Sequence, residues 1–300
     1  MPYTIVGYSD HTYLHKVTEF MTACRQEDPL AGMWDVGDLQ WWWRDDEYAD
    51  PTKQVFWENQ RGLTGGFVLL SQTYRSFDYE ILPRLGQGPV AQDIVAWGLH
   101  RLCEMAEADP SQSPYTLFMR QEHQIFHQMA RHLGFQATGE ALVQTILDLH
   151  TGLLAVPVPA GYQVRSIQPG DLVAGKPPVL HISAAMYRRV QETSLYREDM
   201  HLIVVAPDTR IAAECICWVD PVNGIGVFEP VRTQEGFERR GLARAMMAEG
   251  LRNMAARGVR WAKVSHYRRN TAAAALYRAV GFREIFARLV YAYRQPAGTV

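Results

Sequence analysis

Two short stretches of the 300-residue chain hold residue types and spacings suited to chemistry on a phosphorylated ligand. The first reads Gly226-Val-Phe-Glu-Pro-Val-Arg-Thr233 and continues Gln-Glu-Gly-Phe-Glu-Arg-Arg-Gly-Leu-Ala243. Gly241 lets the backbone turn sharply and approach a ligand, so the amide N–H groups around Arg240 to Ala243 can converge at the positive end of a following helix. That geometry binds pyrophosphate. Many glycine turns merely connect a strand to a helix, so the turn needs support from elsewhere. The second stretch, Asn270-Thr-Ala-Ala-Ala-Ala-Leu-Tyr277-Arg-Ala-Val-Gly281-Phe282, joins a helix-starting Asn to a phenol and a glycine stop. Charge points the same way. Between Val231 and Arg294 there are fourteen Lys/Arg against four Asp/Glu, although the whole chain carries a net charge of −2. Such an excess suits a polyanion, either a nucleotide cofactor with several phosphates or a nucleic acid; the bland alternative is a solvated helix face.

The elements that must position these residues follow from periodicity. Ala243, Met246, Met247, Gly250, Leu251 and Met254 recur at the spacing of one apolar helical face, and Arg257-Gly258 supplies its end. Trp261 to Val264 reads as the next strand. Each half of the chain opens with a short strand, Tyr3 to Val6 and Tyr162 to Ile167. Each then has a hairpin-like pair of runs: Gln54 to Trp57 with Phe67 to Ser71, and Leu202 to Val205 with Ala212 to Trp218. Gly134-Phe135 and Gly281-Phe282 each follow a helical stretch, 147 residues apart. These parallels suggest a duplicated unit, and Pro157, Pro159 and Gly161 place the boundary near residue 155. Aligning the two glycines sets Ala130 against Tyr277 and His123 against Asn270. In the first half a helix begins near Pro89. Gly86-Gln-Gly88 before it could be a remnant of a glycine turn, but Pro89 removes an amide donor. The first half therefore reads as a structural partner. Its tryptophans Trp34, Trp41, Trp42, Trp43 and Trp57 serve either packing or an acceptor wall.

Composition bounds the class. With 47% hydrophobic and 21% charged residues and a mean hydropathy of −0.20, the chain reads as globular, and length favours two domains. No apolar run approaches a membrane span and Met1 to Asp10 lacks a signal-peptide pattern, so a cytoplasmic location and no membrane partner are expected. Cys24, Cys103, Cys215 and Cys217 lack paired metal-site spacing; they are expected to be packing thiols, with no bound metal.

The two stretches together resemble the GCN5-related N-acetyltransferase (GNAT) superfamily. Its pyrophosphate loop reads Gln/Arg-x-x-Gly-x-Gly/Ala; Glu238-Arg-Arg-Gly241-Leu-Ala243 fills the last two defined places and departs at the first. Asn270 to Phe282 matches Asn-x-x-Ala-x-x-Leu-Tyr-x-x-x-Gly-Phe throughout. The resemblance implies an α/β (α+β) fold of two tandem GNAT-like domains, each a mixed, mostly antiparallel sheet flanked by helices. Residues 1–155 would be a degenerate copy and 156–300 the cofactor-binding catalytic domain. It further implies acetyl-CoA, or another acyl-CoA, as cofactor. Arg239, Arg240, Gly241, Leu242 and Ala243 would lie at the diphosphate. The fourth and fifth strands would splay, with Val231 and Thr233 on the exposed edge that pairs with the pantetheine arm; Pro230, which cannot donate to a ladder, agrees with a bulge there.

In the same resemblance Tyr277 is the general acid that protonates the departing thiolate, and Asn270 starts its helix while touching the cofactor. Glu229 is the chosen base, since in a regular strand it shares a face with Val231 and Thr233. Glu214, Asp220, His266 or a water chain compete for that role. The expected activity is acetyl-CoA-dependent N-acetylation of a small-molecule amine by a monomer or homodimer, without nucleic acid. A non-catalytic acyl-CoA-binding sensor is the alternative. The acceptor stays open among aminoglycoside, amino acid, polyamine, thiol-sugar amine and protein N-terminus, because loops that choose it vary freely on a shared fold.

Overall fold

The computed structural model of the chain describes residues 2–9, 12–30, 32, 34–44, 46–112 and 114–293. In chain order the elements are β1 (Tyr3–Gly7), α1 (Tyr13–Glu27), α2 (Val36–Trp42), β2 (Gln54–Asn59), β3 (Thr64–Ser71), β4 (Ser76–Ile81), α3 (Pro89–Ala108), β5 (Tyr115–Arg120), α4 (Gln124–His132) and β6 (Gln136–Asp148). They continue as β7 (Gln163–Ser166), α5 (Ala184–Gln191), β8 (His201–Val205), β9 (Ile211–Asp220), β10 (Ile225–Thr233), α6 (Leu242–Ala255), β11 (Trp261–Tyr267), α7 (Thr271–Val280) and β12 (Arg283–Tyr293). Among the described residues no helix is long and apolar enough to cross a membrane.

Contacts divide the chain into two compact units. The first takes residues 1–35, 42–143 and 286–300; the second takes 36–41 and 144–285. In the first unit β1 to β4 form an antiparallel meander, β5 lies parallel to β4, and the part of β12 from Phe286 onward runs antiparallel to β5, followed by β6. Val68, Leu70 and Phe77 bury against Ile94, Val95, Leu99 and Leu102 of α3 and against Phe126 and Ala130 of α4. In the second unit the order is β6, β11, β10, β9, β8, β7, antiparallel from β10 through β7 and parallel between β10 and β11. Its core joins Leu202, Val204, Cys215, Cys217 and Phe228 to Met246, Met247, Leu251 and Met254 of α6 and to Tyr277 and Val280 of α7.

The methionine-rich stripe expected on α6 is buried, but its edge differs by one residue. Leu242 is 1% exposed and takes the core position that the spacing assigned to Ala243, which is half-buried. Leu242 and Ala245 with Met246 and Ala248 close the first turn over the sheet.

Duplication is visible in matching atomic details. Gly134 and Gly281 have φ of +90° and +109°, left-handed values that end α4 and α7. The N–H groups of Phe135 and Phe282 then donate to the carbonyls of Ala130 and Tyr277, both at 3.0 Å. On the preceding helices, a Cβ at Gly98 would lie 2.6 Å from the ring of Phe77, and one at Gly250 would lie 2.6 Å from the ring of Phe228. Each glycine lets a sheet phenylalanine press against the helix backbone. In an ordinary helix interior Gly→Ala stabilises by about 1 kcal/mol. Here the sign should reverse: Gly98→Ala and Gly250→Ala should each destabilise by about 1–3 kcal/mol through overpacking, as read from denaturant unfolding.

Candidate active site

The site begins where β10 and β11 stop pairing. Their parallel ladder holds only at Ile225–Trp261, Gly226–Ala262 and Val227–Lys263, while β10 runs on to Thr233 and β11 to Tyr267. Beyond Val227 the edge of β10 that faces away from β9 is open. The other edge stays paired to β9, but with a register shift: Phe228 stands opposite Cys217 and Val231 opposite Cys215, so β10 carries one extra residue. This is the bulge that Pro230 signals. It breaks the alternation of a regular strand, in which Glu229 would share a face with Val231 and Thr233. Instead Phe228, Val231 and Thr233 stand opposite Cys217, Cys215 and Ala213, all three of which line the core under α6. The bulge is held from β9 by Trp218, whose indole Nε1 donates to the Glu229 carbonyl at 2.6 Å.

Glu229 is half-buried, and burial pushes its carboxyl up to about 7. Tyr277, in the last turn of α7, is 6% exposed. Burial raises its phenol above the ordinary value, and the nearby Glu229 charge, then Cys215, raise it further. The two groups are thus neighbours. The Tyr277 ring packs at 6.2 Å from Phe282 and 5.8 Å from His266. Asn270 caps the start of the same helix, its Oδ1 accepting from the Ala273 N–H at 3.0 Å.

The loop before α6 is built by its own side chains. Gly241 sits at φ +78°. Among the described residues the N–H groups of Gly241, Leu242, Ala243 and Arg244 are taken by no hydrogen bond, as expected for the first turn of a helix. Glu238, which departs from the family loop, accepts from the Gly236 N–H at 2.8 Å. Arg240 donates to the Gly236 carbonyl at 2.8 Å and to the Tyr162 hydroxyl at 2.9 Å, and lies over the Phe237 ring. Glu238 and Arg240 therefore hold Gly236 by both of its backbone groups. Arg239, at φ +59°, is exposed beside them.

Two rivals of Glu229 are committed elsewhere. Glu214 is fully buried, bonded to His201 Nε2 at 2.8 Å and to the Val179 N–H at 2.9 Å. Asp220 organises the β9–β10 turn by accepting from Val222, Asn223 and the Asn223 side chain. His266 stays beside Tyr277 with Nδ1 bonded to the Tyr267 carbonyl at 3.0 Å; a carbonyl only accepts, so Nδ1 carries the hydrogen. Sequence reasoning missed Trp218 and the buried chain Tyr187–Tyr196–His201–Glu214, with links of 2.9, 3.0 and 2.8 Å. Its members come from separate elements, so no local spacing signals it.

The first unit repeats the frame with different residues at the matching places. Asp78 follows Phe77 as Glu229 follows Phe228. Burial lifts its carboxyl to about 7, but the Arg288 guanidinium stands beside it. The Gly86 and Gly88 N–H groups donate to the Pro83 and Leu85 carbonyls, and Pro89 has none. Ala130 and His123 replace the phenol and the Asn cap, and His123 makes no capping bond.

Residues 172–282 match the acetyltransferase (GNAT) family. No curated protein matches the sequence. Among solved structures, a GCN5-related N-acetyltransferase from Sphaerobacter thermophilus is similar over 99% of this chain and 98% of its own, with TM-score 0.66 and 16% identity. A tandem GNAT protein from the clavulanic acid biosynthesis pathway is similar over 99% and 100%, with TM-score 0.61 and 16% identity. A GNAT-family acetyltransferase from Colwellia psychrerythraea covers 97% and 100%, with TM-score 0.59 and 11% identity. At these identities the likeness speaks for the fold. Residues 172–282, which hold this site, thus match the GNAT acetyltransferase family, and the chain as a whole shares its fold with GNAT structures, a tandem one among them.

Proposed function

We propose that the chain transfers an acetyl group from acetyl-CoA to the amine of a small-molecule acceptor, with the chemistry in the second unit. The observation that carries this reading is the gathering of three features in one unit. They are the gap where β10 parts from β11, a carboxyl poised near 7 beside a buried phenol, and a helix N-terminus with open N–H groups.

The residues fit the cofactor. The N–H groups of Gly241 to Arg244 at the positive end of α6 suit a diphosphate, and Arg239 and Arg240 add positive charge there. Leu242 contributes only its backbone, since its side chain is in the core. Val231 and Thr233 lie on the segment of β10 without a β11 partner, which leaves backbone groups for the amides of a pantetheine arm. Acetyl-CoA supplies a thioester carbonyl for the amine to attack and a thiolate that must leave.

Glu229 serves as base: a carboxyl titrating near 7 is half ionised at neutral pH and basic enough to take the ammonium proton. Tyr277 serves as acid, because its raised phenol keeps its proton until the thiolate appears. Asn270 holds the start of the helix that presents Tyr277. Trp218, through the Glu229 carbonyl, fixes where the base stands.

Tyr277→Phe should lower kcat by about 10²-fold and leave the Kd for coenzyme A within about twofold, as measured by steady-state kinetics and calorimetry. In Glu229→Gln, kcat/KM should fall by about 10²-fold and lose its rise with pH through about 7. The same carboxyl has a folded-state value above the ordinary 4.5, so the folded protein holds its proton more tightly than the unfolded chain does. Its contribution to stability is full below 4.5 and is lost as pH rises through about 7. Glu229→Gln should therefore match the parent's melting temperature in acid and exceed it above neutrality. Glu238→Gln keeps an acceptor for the Gly236 N–H but removes a negative charge beside the loop; coenzyme A should bind about two- to fivefold tighter, with the gain shrinking in salt.

A further inference from the structure

We propose that the first unit holds a second binding site, a cleft at the parted ends of β4 and β5 that takes a small organic ammonium compound. The two strands pair only at Ser76–Thr116 and Phe77–Leu117 and then separate. A cavity of about 220 Å³ lies there, walled by Asp28, Tyr79, Glu80, Arg120, Glu122 and His123. At roughly 30 Å³ per water this is room for about seven waters, or a ligand of a similar number of heavy atoms.

The wall is negative. Among the described lining residues three carboxylates face one guanidinium, and that guanidinium is committed: Arg120 Nε donates to Glu122 at 2.7 Å and lies 4.0 Å over the Phe286 ring. Arg25, which also feels Glu80, is outside the lining, 1% exposed and ion-paired to Asp35 at 3.1 Å. His123 adds no positive charge at neutral pH, since burial and then Arg120 lower it to about 4.

Two buried polar atoms on this wall lack partners. Tyr79 is 3% exposed, and its hydroxyl has no hydrogen bond; neither has His123 Nδ1. The Tyr79 hydroxyl feels the charges of Glu80, Arg120, Arg288 and Glu122; Arg288 lies outside the lining, and the other three line the cleft as Tyr79 itself does. A buried hydroxyl without a partner is costly in a native protein, and a bound ammonium donor would satisfy it. A phosphate would meet these carboxylates, while the Gly86 and Gly88 N–H groups are spent and Pro89 has none. Carboxylates, a hydroxyl acceptor and a neutral imidazole instead suit an alkylammonium group.

The test is isothermal titration calorimetry on the full chain with 1,4-diaminobutane, and 1,4-butanediol as an uncharged isostere. The diamine should saturate a site that the diol does not occupy. Tyr79→Phe breaks no hydrogen bond, so it should leave the melting temperature unchanged or higher while weakening diamine binding about tenfold; Glu80→Gln should weaken it tenfold or more. Glu229→Gln should leave this binding unchanged, which keeps the test separate from the acetyl-transfer reading. The proposal is overturned if the diamine does not bind, if the diol binds equally, or if coenzyme A displaces the diamine from the wild-type and Glu229→Gln proteins alike. It is overturned equally if Glu229→Gln abolishes binding while Tyr79→Phe does not, for the diamine then sits in the second unit.

Discussion

Everything in the second unit turns on a sheet that fails to stay closed. A strand edge inside a protein is a row of backbone groups that must find partners, and β10 loses its parallel neighbour after Val227. The separation is held from within rather than left to chance. The Phe228 ring presses against α6 through the space left by Gly250, the extra residue of the bulge follows at once, and Trp218 grips the Glu229 carbonyl from β9. Packing, backbone geometry and one indole hydrogen bond thus agree on where the sheet opens. The opening in turn decides which carboxyl is buried and which phenol it meets.

The first unit is the natural control for that argument. It has the same helix glycine against the same sheet phenylalanine, the same left-handed glycine stop and strands that likewise part, but not the bulge, the left-handed glycine that opens the helix or the phenol. A frame and its chemistry are therefore separable. What the two units share is what packing demands; they differ at the places where the proposed diphosphate and thioester would lie. Asp78 shares with Glu229 both its place after the phenylalanine and a carboxyl that burial lifts to about 7, so the contrast lies in its neighbours: a guanidinium for Asp78, a phenol for Glu229.

Much of this was legible in the residues themselves, wherever the signal was local. Gly241 announced a turn and takes a left-handed φ; Pro230 announced a bulge and sits in one; Asn270 to Phe282 announced a capped helix with a glycine stop. The apolar stripe on α6 was right in period and phase from Met246 onward and missed only at its first member, because Leu242 rather than Ala243 closes the first turn. Illegible were the pairings between distant elements. Trp218 and Glu229 meet across a hairpin, and His201 and Glu214 across adjacent strands, with no spacing rule to foretell either. Glu238 looked like a defect in the loop motif, and only the bond to Gly236 shows that it helps shape the loop.

The placement of β12 has a consequence for how the chain is made. From Phe286 onward this last strand is a member of the first unit, running antiparallel beside β5, although nearly the whole of the other unit is translated before it. A ribosome releasing the chain from its N-terminus therefore leaves β5 with a bare flank until β12 emerges. During that interval the nascent protein carries the kind of unpaired edge that invites aggregation, and early termination would strand it there permanently.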